Sequence, residues 1–420
     1  MPQFADRIAA RLMKERDRFP GPVRRLPEHI RDHPTGLLSK LSYLAMGANV
    51  RAPAPTSAPA GAPRVLIGPA GYAGQSRMWA HAIEHTMPGA RARTLAVHVP
   101  GAIRFESDTS VPFGVYHHSR RWQNAEFTAV VEGFDHVLNE SFRTLFGSKF
   151  HDLRSEIDAL CERGLSVALM AHGTDVRSPM AHISRTRWSP FDEDPRRDRL
   201  QATSDRNRRA AEDLGLPVFV STPDLVDDLP FATWCPVVVD QARWMSDSLP
   251  FDASRIPVVV HAPSATAIKG TALIEPTLRA LHERSLIDYR RIERVSPDGM
   301  RTVIRDADIV LDQFRIGSYG AAACEAMAAG RIVIGHVAPS VRARVFEQTR
   351  RQLPIIEADA ASLDSVLRAI LADPAPSLLK AAQGREFVSD VHGGAFSATR
   401  LRDRWIDSQH AQAETSDPRS

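Results

Sequence analysis

The chain has 420 residues, 43% hydrophobic and 25% charged, a globular composition with room for two domains that each have a core. Its 53 Lys and Arg against 50 Asp and Glu leave a formal charge of +3, which calls for no nucleic acid partner. Three cysteines without a CxxC pair or a His/Cys cluster argue against a disulfide scaffold or a zinc module, and read as buried thiols of a reducing cytosol.

In chain order, residues 1–50 are a basic extension. Residues 1–51 hold ten Lys/Arg against five Asp/Glu, and Phe4, Ile8 and Leu12 give an apolar helical stripe, with a second short one in "GLLSKLSYLAMG". The extension is predicted to be helical and to pack on its own domain; the other reading is a peripheral contact with a membrane's inner face or with a protein. With charges from Asp6 onward and no apolar run of about 18 residues, a cytoplasmic protein is expected. Residues 51–63, "RAPAPTSAPAGAP", read as an extended linker. From 64 onward short apolar runs alternate with helical stretches, the pattern of βα units on parallel sheets. "RVLIGP", "HVLNES", "SVALMAHG" and "VFVST" read as strands of a first domain, 64–240, which ends at "WCPVVVD". "IPVVVHAPS", "ADIVLDQF" and "RIVIGHV" read as strands of a second, 241–390, followed by a C-terminal helix at 391–407 and a disordered tail at 408–420.

In doubly wound sheets ligands sit beyond the carboxyl ends of the strands, so the loops there hold the candidates. After "ADIVLDQF" comes "RIGSYG" and then a helix of small residues, "AAACEAMAA", stopped by Gly330. The loop offers backbone N–H groups at a helix N-terminus to an anion such as a diphosphate, and Gly317 and Gly320 let its oxygens come close. Glu325, little more than one turn into the helix, suits paired ribose hydroxyls; the plain alternative is a tightly packed helix with Glu325 at its rim. After "IPVVVHAPS", Lys269 and Gly270 open a helix predicted to be capped by Thr271, where a lysine can neutralise a departing diphosphate. Pro276 is expected near that helix's first turn, because further in it costs about 3 kcal/mol. The triplet "DED" at 192–194 reads as a solvated loop, not a metal site.

The pair "HAPS....KGT" and "GSYG....EAMAAGRIVIG", each between a strand and a helix, resembles the donor domain of GT-B-fold glycosyltransferases, and of glycosyltransferase family 4 in particular. The resemblance covers roughly residues 64–375. It implies an α/β GT-B architecture, two doubly wound Rossmann-like domains facing across a cleft, the first for the acceptor and the second for the donor. By position, Lys269 would bind the donor diphosphate, Ser318, Tyr319 and Gly320 would approach the phosphates and sugar, and Glu325 would hold the ribose. "GPAGYAGQ" at 68–75 is similar to the glycine loop after the first strand, so Gly71 and Gly74 would face the donor; its spacing departs from the GxGxxG of dinucleotide sites. His172, in "AHGTDVR", resembles the histidine near the transferred sugar, and Asp175 and Arg177 are candidates for an acceptor contact or a structural ion pair. The implied activity is metal-independent, retaining transfer from a nucleotide-diphosphate sugar to a glycan, lipid or small molecule. His172, Lys269 and Glu325 form the catalytic set, with no cofactor beyond the co-substrate and no nucleic acid.

Two positions depart from the family. Its second glutamate, eight residues before Glu325, is Gly317, and its arginine five residues before Lys269 is Ser264; Arg315 is the candidate to supply the missing charge. These departures keep a second reading open, a catalytically inactive nucleotide- or sugar-binding protein of the same fold that acts through its basic extension.

Overall fold

The computed structural model describes residues 36–38, 40, 51–98, 104–251, 255–263, 265–293 and 295–407. The basic extension apart from residues 36–38 and 40, the tail at 408–420 and Ser264 lie outside the described residues.

Two parallel sheets carry the chain. Strands β1 (Arg64–Gly68), β2 (Arg91–His98), β3 (Thr109–Pro112), β4 (His136–Glu140), β5 (Ser166–Ala171), β6 (Val218–Val220) and β7 (Thr233–Trp234) lie in the order β3-β2-β1-β4-β5-β6-β7. Strands β8 (Val258–His261), β9 (Asp288–Arg291), β10 (Ile309–Leu311), β11 (Ile332–Gly335) and β12 (Ile356–Glu357) lie in the order β12-β11-β10-β8-β9. β1 runs parallel to β2 and β4, with Val65 opposite Ala92 and His136, and β10 parallel to β8 and β11, with Ile309 opposite Val259 and Ile332. Each order reverses once, between β1 and β4 and between β8 and β10, and a doubly wound sheet opens a crevice at such a reversal. By contacts the chain divides into two compact units, residues 1–170 with 214–217 and 405–420, and residues 171–213 with 218–404.

β4, β5, β8 and β11 are buried along their whole length, as strands covered on both faces must be, and their apolar runs were visible in the sequence. The strands that the sequence reading missed are of another kind. β3, β9 and β12 are edges, where one side meets no partner and polar residues such as those of "DYRR" are tolerated. β2 alternates more exposed and buried positions over its first four residues and carries arginines at 91 and 93. "WCPVVVD" supplies only the end of the two-residue β7, and its valines are buried without joining a strand.

Residues 51–63 contain no helix or strand, as expected of a Pro/Ala run, but they are seated rather than loose. Thr56 is buried, its N–H donating to Glu126 Oε2 at 2.9 Å and its hydroxyl to Thr109 Oγ1 at 2.8 Å. Ala58 lies against Gly133, where an added Cβ would come within 2.6 Å of it. Two satisfied polar groups and one close approach fix a segment that builds no core of its own.

In the second unit, Ile274, Leu278 and Leu281 of the helix Thr271–Glu283 pack on Val259, Ile309, Leu311, Ile332 and Ile334. Two expectations about this helix are corrected. Its N-cap is Gly270, in the left-handed region at φ 79°, and Thr271 is its first residue. Pro276 is its sixth residue, past the first turn. Each of the three buried aliphatic side chains contributes about 1.5–3 kcal/mol, enough together to offset the proline.

Candidate active site

The crevice of the second sheet is assembled from the exits of β8 and β10. His261, the last residue of β8, is buried; its Nδ1–H donates to the Leu311 carbonyl at 3.1 Å, and its Nε2 accepts the Thr271 hydroxyl at 2.9 Å. Burial lowers its pKa to about 4, so the ring is neutral and links the two exits. The helix Thr266–Lys269 ends at Gly270, where an added Cβ would lie 3.0 Å from Arg315 Cγ, and the Phe314 N–H donates to the Lys269 carbonyl at 3.0 Å. Lys269 is thereby brought to the exit of β10, where its Nζ forms an ion pair with Asp312. The second Asp312 oxygen, Oδ2, is buried without a hydrogen-bond partner.

From Gly317 to Ala323 no backbone N–H donates a hydrogen bond among the described residues. The last three belong to the helix Ala321–Ala328, whose N-cap, Gly320, provides no side chain and has open space where a Cβ would be. Ser318 and Tyr319 contribute only backbone to this cradle. Tyr319 is buried with its hydroxyl 3.3 Å from His392 Nε2, and the Ser318 hydroxyl is buried without a hydrogen-bond partner among the described residues. Gly317 sits at φ 73°, a left-handed conformation that a residue with a side chain would adopt only under strain. Glu325 follows in the helix, half-buried, and its carboxylate accepts no hydrogen bond among the described residues. Burial pushes its pKa up to about 7, with the Lys269 and Arg243 cations pulling down and the Asp312 carboxylate adding to the rise.

The candidates after β5 form a second group in the same unit. His172 is buried, and its N–H donates to Asp175 Oδ2 at 2.9 Å; the Gly173 N–H donates to Asp175 Oδ1 at 2.6 Å. Asp175 is thus a loop-former. Arg177 makes a buried ion pair with Asp224, from its terminal nitrogen at 2.5 Å and its Nε at 3.1 Å. Burial works to raise Asp224, but Arg177 holds it below its ordinary value. The Arg315 guanidinium is taken up by the carbonyls of Trp188 and Ser189, at 3.0 and 2.8 Å, and lies 3.6 Å from Glu193. In the "DED" triplet, Asp194 pairs with Arg196 at 2.8 Å, and among the described residues no group of three or more His, Cys, Asp or Glu is placed to hold a metal ion.

Gly71 and Gly74 belong to the crevice of the first sheet, both with left-handed backbone, at φ 58° and 76°. Beneath their loop lies Glu140, the fully buried last residue of β4, whose Oε2 accepts the Ser76 hydroxyl at 2.8 Å and the Gly71 N–H at 3.4 Å. A carboxylate at that amide repels a pyrophosphate, which argues against a dinucleotide site here.

Sequence reasoning missed Asp312, Gln313, Asp224 and His182. Asp312 follows a visible strand directly, and the strand-exit rule alone would have reached it. His182 gives no local signal, because its contact with the Ile316 carbonyl spans 134 positions.

No family model matches the chain, and no curated protein does. Solved structures do. Sucrose-phosphate synthase from Thermosynechococcus elongatus is similar with a TM-score of 0.52 at 13% identity, over 84% of this chain and 100% of that one. Anabaena HepE in complex with UDP-glucose is similar with a TM-score of 0.50 at 12% identity, over 81% of this chain and 98% of that one. At such identities the likeness is one of fold, and with its two doubly wound parallel sheets this chain has the GT-B fold of glycosyltransferases.

Proposed function

We propose that this chain is a retaining glycosyltransferase of the family 4 type, which moves a sugar from a nucleotide-diphosphate sugar to a glycan, lipid or small-molecule acceptor without a metal ion. The observation that carries this reading is the set of N–H groups from Gly317 to Ala323 that donate no hydrogen bond among the described residues, at the switch point of the second sheet that also holds Lys269 and, in the helix that follows, the carboxylate of Glu325. The amides and the helix N-terminus would receive the diphosphate. Lys269 would exchange Asp312 for the phosphate oxygens, stabilising the charge that develops as the sugar departs. Glu325 would accept the ribose hydroxyls. His172, with its backbone fixed by Asp175, would stand on the sugar side. Because HepE holds UDP-glucose, uridine is the first base to test.

Gly317 favours the second reading at one point, since a glycine supplies no carboxylate to hold sugar hydroxyls, which would leave a nucleotide-binding protein without transfer. We place the protein in the cytoplasm, with residues 1–50 for contact with a membrane surface or a partner; no helix among the described residues is long and apolar enough to cross a membrane.

Calorimetric titration with UDP, GDP and ADP in EDTA tests the site. Saturable binding of one nucleotide, weakened in Glu325→Ala, is expected, and release of that nucleotide from its sugar conjugate separates transferase from binder. No binding of any of the three by folded protein would end both readings.

A further inference from the structure

The loop from Ile316 to Tyr319 is held carbonyl by carbonyl. The Ile316 carbonyl accepts from His182 Nε2 at 3.1 Å, the Gly317 carbonyl from the Ala338 N–H at 2.8 Å, and the Ser318 carbonyl from Gln313 Nε2 at 2.5 Å. A trans peptide unit is planar, with its C=O and N–H pointing in opposite directions. Each of these bonds therefore turns the following N–H, that of Gly317, Ser318 and Tyr319, away from the group that holds its carbonyl. These are the first three of the unpaired N–H groups of the cradle.

We propose that His182 and Gln313 are positioning residues for the donor diphosphate, which aim the backbone N–H groups of the glycine loop by holding their carbonyls from behind. The inference rests on the reading of that loop as a diphosphate cradle. Both side chains are suited to the task. His182 is buried, and since a carbonyl only accepts, its Nε2 carries the proton; its Nδ1 then accepts the Ser189 hydroxyl at 2.8 Å, which fixes the tautomer. The Phe191 ring stands edge-on at 5.2 Å and keeps the imidazole in place. Ser189 also offers its carbonyl to Arg315 at 2.8 Å, so the segment that holds His182 is tied to the same loop a second time. Gln313 is buried beside Asp312, and its amide nitrogen reaches the Ser318 carbonyl across five positions. A loop held in this way presents its N–H groups without reorganising when the anion arrives, which is where fixed dipoles have their advantage over water.

The test compares His182→Leu and Gln313→Leu, which remove the donors, with His182→Gln, whose amide nitrogen can occupy the place of Nε2. Inorganic pyrophosphate, UDP, GDP and ADP are titrated in EDTA, and thermal melting is followed alongside. Both leucine variants should lose about tenfold or more in affinity for pyrophosphate, and His182→Gln should stay within about threefold of the parent. Glu325→Ala should do the reverse, losing nucleotide affinity while keeping pyrophosphate, a dissociation that general loosening of the fold would not produce. Leucine variants that melt with the parent and bind pyrophosphate equally well would overturn the inference alone. Should a leucine variant not fold, Gln313→Glu at pH 8 removes the same donor from the same shape, and undiminished binding there would overturn it equally. If the parent binds neither pyrophosphate nor any nucleotide, the cradle reading fails and this inference with it.

Discussion

The two sheets reverse their strand order in the same manner, yet the crevices at the two reversals have opposite chemistry. At β1 and β4 a glycine loop has bonded its Gly71 amide to a buried carboxylate of its own, Glu140. At β8 and β10 a glycine loop leaves the amides from Gly317 to Ala323 without a hydrogen bond among the described residues and has Lys269 in the same crevice. Topology chooses the place and side chains choose the sign of the ligand. Glycines do not distinguish the two, since each loop has at least one in a left-handed conformation, Gly71 and Gly74 in the first and Gly317 in the second.

The sharpest way to break this contrast is to remove the cation. Lys269→Ala is expected to lower the affinity for a nucleoside diphosphate by roughly a hundredfold, the 2–3 kcal/mol of a charge-assisted bond. The melting temperature should fall too, because Asp312 is left buried and unpaired. The double variant Lys269→Ala, Asp312→Asn separates the two effects and should regain stability without affinity. If calorimetry shows that affinity returns as well, the lysine serves only to neutralise Asp312.

Next comes Glu325, with a signature in pH. Its folded-state pKa, about 7, is raised from the ordinary 4.5, so the folded protein resists the charged form. The penalty is absent below about pH 4.5, grows as pH rises, and is complete above about 7, reaching roughly 3 kcal/mol. Glu325→Gln should therefore stabilise the protein at pH 8 and leave it unchanged at pH 4, which melting at the two pH values checks. For ligands the charged form accepts ribose hydroxyls but repels phosphate. Relative to Glu325→Gln, affinity for UDP should rise as pH passes through 7 while affinity for pyrophosphate falls. Parallel profiles for the two ligands would take Glu325 away from the ribose.

A smaller effect is expected at Gly317. Gly317→Ala places a Cβ at ordinary contact, 3.4 Å from Ala338 Cβ, but in a left-handed conformation that costs about 1 kcal/mol, so a few degrees of melting temperature and a few-fold of affinity should be lost. Gly317→Glu, which puts a longer charged side chain at the same left-handed position, should lose more and gain no activity.

The second crevice was legible in the sequence to a specific depth. Lys269, Glu325 and the glycine loop stand at strand exits, and their spacing within strand–loop–helix units was enough to single them out. What was not legible depends on contacts between segments distant in the chain. Asp312 as partner of Lys269, 43 positions away, and His182 behind Ile316 follow from how βα units stack, which no local period encodes. Thr271 was misjudged for a different reason, since its hydroxyl looked like a cap and is used by His261, ten positions earlier in the same strand–loop–helix unit. In the fold, strands covered on both faces declared themselves by unbroken apolar runs, whereas the edges β3, β9 and β12 are short and partly polar and merged with the loops.

The smallest expected effect tests the other side of the contrast. Glu140→Gln keeps the shape and one oxygen for the Gly71 N–H and the Ser76 hydroxyl but removes the charge from under the first loop. If the second crevice alone receives the diphosphate, calorimetry should give the parent affinity within about twofold and an unchanged stoichiometry, with a loss of stability near 1 kcal/mol from the weaker bonds. A second, weaker diphosphate equivalent appearing in this variant would show that both loops are anion cradles by geometry, and that a single carboxylate is what sets the first one apart.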